Sequence, residues 1–180
     1  MLYNYLFVLM GACVDLILNI CFPAAFAFEK MYFVPCIGLC ALILTVRKMD
    51  KVDAIILVVL FGIMSDFFYA PFPCFYMTTY LLIYTIVYIW QKLVNESVKE
   101  GLVLCVSTIF IKEVMVYLFM KISGYTLIGF HTFMTNRLFL TILVNAVLVF
   151  VLILLAYIKD DLQKQKDVRI RREERLPWLH

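Results

Sequence analysis

Residues 55–69 read Ile-Ile-Leu-Val-Val-Leu-Phe-Gly-Ile-Met-Ser-Asp-Phe-Phe-Tyr, an apolar run with one acidic side chain near its end. A helix that crosses a membrane needs about 20 mainly apolar residues. Comparable runs recur along the 180-residue chain, which is 65% hydrophobic and 16% charged. A soluble domain is typically about 45–50% apolar and about 25% charged. The sequence therefore predicts an all-α integral membrane protein, a six-helix transmembrane bundle.

The apolar runs and the prolines between them set the boundaries of the predicted spans. Residues 1–158 form the predicted transmembrane domain, and residues 159–180 form a charged tail. Pro35 is placed in the first turn of helix two, where its missing N–H does no harm. The six predicted helices are Leu2–Phe22, Met31–Val46, Asp53 to about Tyr69, Cys74–Trp90, Gly101–Met120 and Leu138–Ile158.

Lysine and arginine are concentrated in alternate connections, which predicts the orientation of the chain. The alternate connections on the other side hold only Lys30, Lys121 and Arg137. Because basic residues favour the cytoplasmic side, both termini are predicted to be cytoplasmic. The tail is predicted to be either a flank that continues helix six or a docking segment for a cytoplasmic partner. The cytoplasmic basic residues are Arg47, Lys48, Lys51, Lys92 and Lys99 and, in the tail, Arg169, Arg171, Arg172 and Arg175 among others.

Polar side chains inside the predicted spans call for a role, because an ionised group at a helix centre costs about 2.5–3.5 kcal/mol. Counted from the cytoplasmic ends, polar groups of five helices fall at a similar depth. We therefore expect a buried polar layer in which Lys112 pairs with Asp15 or Asp66. Such a layer can hold the helices together, receive a partner's helix or a small ligand, or conduct protons. The polar residues of the spans include Asp15, Asn19, Asp66, Lys112, Glu113 and Asn145.

No spacing in the sequence is typical of a catalytic, metal or cofactor site. The six cysteines form no C-x-x-C pair and are expected to pack as small apolar residues. His131 stands alone, and there is no H-E-x-x-H, no G-x-S-x-G and no phosphate-binding glycine loop. We expect no enzymatic activity, no cofactor, no metal and no nucleic-acid partner.

One pair of helices resembles a known family. The segment Phe61–Tyr69 carries Gly62 and Asp66 at a G-x-x-x-D spacing, followed by a short break and the aromatic-rich helix Phe75 to Trp90. This arrangement resembles the central segment of the rod shape-determining protein MreD family. The resemblance extends to the chain length and the helix count.

Helix six carries the second matching segment. Residues 140–145, Leu-Thr-Ile-Leu-Val-Asn, are similar to the family's P-T-x-x-x-N pattern, with Thr141 and Asn145 in the matching positions. Leu140 stands where the family often has proline, and Phe75 and its neighbours stand where the family usually has a glycine after the short loop.

The resemblance implies a bacterial inner-membrane protein without enzymatic activity, in the machinery that directs side-wall peptidoglycan synthesis and rod shape. Its expected partner is the bitopic protein MreC, and MreB, RodA and a penicillin-binding transpeptidase belong to the wider assembly. The implied fold is similar to the six-helix substrate-binding component of energy-coupling-factor transporters. Asp66 and Asn145 would fix helix packing around a groove for the partner's helix.

Two other functions stay open at this stage. A vitamin-binding transporter component of the same architecture would need an outward-facing pocket, and the outer segment Ser123 to Arg137 is rich in polar residues. A proton-coupled carrier would need an activity that depends on the titration of Asp15 or Asp66.

Overall fold

The computed structural model describes residues 2–21, 31–69, 73–90 and 97–175, and within these ranges it contains helices and no strands. Helix α6, the π-helical turn and α7 follow one another without a break, so the described residues form six helical rods. Pro23, Pro71 and the predicted end of helix one at Phe22 lie outside the described residues. The elements are α1 Leu2–Cys21, α2 Ile37–Val46, α3 Lys51–Tyr69, α4 Phe75–Trp90, α5 Val98–Ile122, α6 Phe130–Phe133, the π-helical turn Met134–Leu138 and α7 Phe139–Arg175.

Four of the rods are long and apolar enough to cross a membrane, and α2 and α4 are shorter apolar helices. The described residues are therefore all-helical and include membrane-spanning helices, which confirms the predicted class of an all-α membrane protein. The four long spans are Tyr3–Cys21, Lys51–Tyr69, Val98–Ile122 and Phe130–Lys166.

Helix α2 lies at the centre of the bundle. Nine of its ten residues are buried, and Leu44 is the exception. A helix that is apolar on every side must be surrounded by other elements. Helices α1, α3, α5 and α7 all pack against α2, and α1 does so most extensively. The other helices are thus arranged around a short central helix about 15 Å long.

The predicted start of helix two at Met31 is wrong. Residues 31–36 are not helical, and α2 begins only at Ile37. Pro35 explains the difference, because a proline disfavours helical backbone in the residue before it. Pro35 therefore lies ahead of the helix and not in its first turn. The apolar composition of the segment did not distinguish a helix from an extended chain.

The predicted bounds of helix six, Leu138 and Ile158, are also wrong. The rod begins at Phe130 and continues as one helix to Arg175, so the charged tail extends the last span. Its charged part contacts the beginning of α1, where the Lys159 ammonium donates to Asn4 at 3.0 Å. This agrees with the interpretation of the tail as a continuation of the helix.

Charged side chains gather at one end of the bundle. The Lys159 ammonium lies 5.0 Å from the centre of the Phe7 ring, and Asp160 forms an ion pair with Lys48. The beginning of α1, the α2–α3 turn and the charged part of α7 therefore share one end. Ser97 directly precedes α5 and caps it by accepting from the Glu100 N–H at 3.3 Å.

Helices α3 and α4 form a close antiparallel pair. A Cβ added to Gly62 would lie 2.6 Å from the Cα of Met77. No other residue type could occupy this position without separation of the two helices, because the contact is with backbone. Gly62 in α3 thus permits the backbone of α4 to approach closely near its start.

We expect Gly62→Ala to destabilise the protein by about 1–3 kcal/mol, since the added methyl group overpacks the α3–α4 contact. Gly129→Ala is the matched control, because a Cβ there meets no atom within 4 Å. The measurement is thermal unfolding in detergent. Equal unfolding temperatures for the two variants would contradict the close approach of α3 and α4.

Cys74, directly before α4, has a positive φ of 64°. L-residues other than glycine rarely adopt this region, and it costs about 1–3 kcal/mol. The strained residue directly precedes Phe75, the first residue of α4. Glycine at this point would adopt the same backbone conformation without strain.

Cys74→Gly should stabilise the chain by about 1 kcal/mol, because glycine adopts a positive φ without strain. Cys13→Gly is its control: Cys13 is also exposed but lies within α1, where glycine costs about 0.5–1 kcal/mol. The two variants should shift the unfolding temperature in opposite directions. A loss of stability in both would mean that Cys74 is not strained.

Candidate functional site

The first turn of α2 is buried, and side chains from two other helices bind its backbone N–H groups. The first N–H groups of any helix have no partner within that helix. Asp15 of α1 accepts from Ile37 N–H at 2.8 Å and from Gly38 N–H at 2.7 Å. Asn145 of α7 accepts from Cys36 N–H at 3.0 Å. Three successive donors are satisfied in this way.

The non-helical segment before α2 is bound to the last rod. The Asn145 amide donates to the carbonyls of Val34 and Thr141, both at 2.8 Å. The Thr141 hydroxyl accepts from Val34 N–H at 3.3 Å, and the carbonyl of Asn136 accepts from Tyr32 N–H at 3.2 Å. Non-helical backbone at membrane depth is tolerated only where protein or water satisfies its polar groups. Thr141 and Asn145 perform this task here.

Helix α4 begins with the same kind of contact. Asp66 of α3 accepts from Tyr76 N–H at 2.6 Å and from Met77 N–H at 3.1 Å, one carboxylate oxygen for each. Gly62 lies one turn earlier on the same face of α3 and allows Met77 to approach. The glycine and the aspartate therefore act together: the first permits the approach and the second binds the helix that approaches.

The α1–α2 pair repeats this arrangement. Gly11 and Asp15 have the spacing of Gly62 and Asp66, and a Cβ on Gly11 would lie 3.1 Å from the Cα of Gly38. In both pairs a glycine faces the start of the next helix, and the aspartate four residues later binds its N–H groups. Sequence reasoning missed this repeat, although the shared G-x-x-x-D spacing was a readable signal.

A buried ionic cluster lies beside the start of α2. Glu113 of α5 has no exposed side-chain surface and binds two cations. Its Oε1 accepts from the Lys112 ammonium at 2.7 Å, and its Oε2 accepts from Arg137 Nε at 2.7 Å. The Lys112 ammonium also lies 3.4 Å from the Cys36 thiol, at the beginning of α2. The cluster thus connects α5, the π-helical turn and α2.

The expected pairing of Lys112 with Asp15 or Asp66 is wrong. Lys112 pairs with its sequence neighbour Glu113, and both aspartates bind backbone N–H groups instead. Adjacent helical positions project about 100° apart, but the four-carbon stem of lysine is flexible enough to fold back across that angle. A shared depth along the helices was therefore an insufficient guide to the pairing of long side chains.

Sequence reasoning also missed Arg137, which it placed in an outer connection. The side chain is only 3% exposed, because the last rod begins at Phe130 and brings Arg137 inside the bundle. The charges of α5 gave no signal of a further cation, because Lys112 and Glu113 balance each other.

A cavity of about 290 Å³ lies next to this cluster, between α1, α3 and the first turns of α2 and α4. It brings together several of the polar residues that the sequence singled out, since Asp15, Asn19 and Lys112 all line it. Its polar lining consists of Asp15, Asn19, Ser65, Tyr69, Tyr76, Tyr80, Lys112 and Arg137.

The remaining predicted site residues lie elsewhere. Asp66 and Gly62 serve the α3–α4 pair, and neither lines the cavity. Arg169 of the tail is exposed on α7. The side chains of Arg171, Arg172 and Arg175 lie outside the described part of the structure.

The arrangement is suited to binding and to holding helices in place. Among residues 2–21, 31–69, 73–90 and 97–175, no group of three or more His, Cys, Asp or Glu side chains is placed to hold a metal ion. Glu113 has both oxygens bound to cations, and Asp15 has both oxygens bound to backbone N–H groups. The buried carboxylates are therefore engaged in fixed contacts.

Comparison of the chain with models of protein families, with curated proteins and with solved structures finds no match.

Glu113→Gln should destabilise the protein by about 3–5 kcal/mol, because it removes the charge that balances two buried cations. Asp161→Asn, at an exposed position of α7, should change stability by no more than about 0.5 kcal/mol. Thermal unfolding in detergent measures both.

A second variant separates charge balance from packing at the same site. Joint replacement of the cluster by Lys112→Met, Glu113→Leu and Arg137→Met should recover most of the stability, because an apolar core of similar volume replaces the ion pairs. If Glu113→Gln alone unfolded like the unmodified protein, Glu113 would not be the shared partner of both cations.

Proposed function

We propose that this chain is a non-enzymatic membrane scaffold of the MreD family, which binds MreC and supports side-wall peptidoglycan synthesis and rod shape in bacteria. In this proposal all six rods cross the cytoplasmic membrane, in an architecture like the substrate-binding component of energy-coupling-factor transporters. MreB, RodA and a penicillin-binding transpeptidase belong to the wider assembly.

One observation carries the proposal: the four residues that match the family patterns act at the starts of two helices. Gly62 and Asp66 hold the start of α4, and Thr141 and Asn145 hold the segment that leads into α2. The shared task supports the interpretation that these short motifs preserve one architecture.

The use of the buried charges supports a scaffold over an enzyme or a carrier. The buried carboxylates of Asp15 and Glu113 each have both oxygens in contacts that join separate elements. A proton carrier needs a carboxylate that exchanges its partners during the cycle, whereas a scaffold needs a fixed shape. The observed contacts favour a fixed shape.

The distribution of basic side chains supports the proposed orientation. Lys48 and Lys159 lie at the end of the bundle where α1 begins, and the positive-inside tendency assigns such an end to the cytoplasm. With six crossings, both termini lie on that side. The basic part of α7 then continues from the membrane into the cytoplasm.

Affinity purification of the tagged chain from its native bacterial membrane, with identification of the copurifying proteins, tests the proposal. MreC should be enriched at least about tenfold over a control purification with a tagged, equally abundant, unrelated multi-pass protein. Wall-synthesis proteins should accompany it in smaller amounts. Recovery of a transmembrane coupling subunit and its ATPases in place of MreC would replace the scaffold with a vitamin-transporter component.

A further inference from the structure

The cavity beside α2 has two cationic side chains in its wall. Lys112 and Arg137 both line it, whereas Glu113, the carboxylate that both of them bind, does not. Asp15 also lines the cavity, but its two oxygens accept N–H groups at the positive N-terminal end of α2. The charged side chains that line the cavity are thus two cations and one carboxylate, and both oxygens of that carboxylate are already occupied. The groups left to bind a ligand are the two cations, which favour an anionic group.

The Lys112 ammonium lines the cavity and has hydrogen-bonding capacity beyond its two contacts. An ammonium has three N–H donors. Among the described residues, Lys112 donates to Glu113 at 2.7 Å and to the Cys36 thiol at 3.4 Å, and a thiol is a weak acceptor. The side chain is only 5% exposed, so water does not compete freely for the third donor. An oxyanion in the cavity would receive a charge-assisted hydrogen bond.

The rest of the wall is aromatic and apolar. Phe61 and Tyr80 are in contact with ring centres 5.5 Å apart, and Tyr76 adjoins Tyr80 at 5.7 Å. An aromatic ring or a compact aliphatic body packs well against such surfaces. The volume of about 290 Å³ lies near the lower limit of about 300 Å³ for small-molecule sites, whereas a cavity of about 150 Å³ already holds benzene.

We propose that this cavity binds a small monocarboxylate with an apolar body about the size of one ring. The carboxylate lies against Lys112 and Arg137, and the apolar body lies against Phe61, Tyr76 and Tyr80. This site goes beyond the scaffold function and does not depend on the identity of the partner protein. Residues of α1 and α3, which are not among the closely packed helix pairs, form two of its walls.

Three probes of equal size test the head group: benzoate, neutral benzamide and cationic benzylammonium. The purified full-length chain is placed in nanodiscs of phosphatidylcholine alone, so that no anionic lipid is present. Binding is measured by calorimetry and by the shift in unfolding temperature. Benzoate should bind at least about tenfold more tightly than benzamide, and benzylammonium should not bind.

Two variants assign the binding to this cavity. Lys112→Met should reduce the affinity for benzoate about tenfold or more and abolish the preference for benzoate over benzamide. Lys121→Met is the matched control, because Lys121 is on the same helix but does not line the cavity. This control should bind benzoate like the unmodified chain.

Met64→Trp keeps the result interpretable if loss of Lys112 disturbs folding. Met64 is a partly buried wall residue, and a larger side chain there fills the cavity without a change in charge. It should abolish benzoate binding while the protein still unfolds cooperatively. Three results would each overturn the proposal. They are a failure of the unmodified chain to bind benzoate, an equal affinity of that chain for benzylammonium, and binding of benzoate by Met64→Trp as tight as that of the unmodified chain. None of these results affects copurification with MreC.

Discussion

The need to satisfy backbone N–H groups where two helices begin inside an apolar bundle governs this structure. These groups are buried or partly buried, and an unpaired buried donor costs several kcal/mol in hydrocarbon. Asp15, Asp66 and Asn145 supply the missing acceptors. Each of them fixes the position of one rod relative to the start of another. The arrangement of α1, α3 and α7 around the short helices follows from these contacts.

Much of this architecture could be read from the sequence, because the apolar runs are long and the polar residues within them are few. The runs identified the helices, and counting along them placed Asp15, Lys112 and Asn145 at a similar depth. In the structure all three contact the start of α2. The depth of a residue in the bundle depends on its position along its own helix, so it can be read from the sequence.

The partners of these residues could not be read in the same way, because pairing depends on how helices are rotated and where they begin. Arg137 entered the bundle only because its rod starts eight residues earlier than predicted, at Phe130 and not Leu138. Residues 31–36 carry the same apolar composition as a helix, and only Pro35 distinguishes them. The pairing of Lys112 with Glu113 depends on side-chain flexibility, which a helical projection leaves out.

The two G-x-x-x-D helices explain why a cavity exists at all. Each aspartate binds the helix that follows it, so α1 packs on α2 and α3 packs on α4, and α1 and α3 have no such contact with each other. The space between the two pairs is lined by Asp15 from one and by Ser65 from the other. Glu113 binds Lys112 and Arg137, the two cations that line this cavity. The same contacts that begin two helices inside the protein thus leave a polar cavity between them.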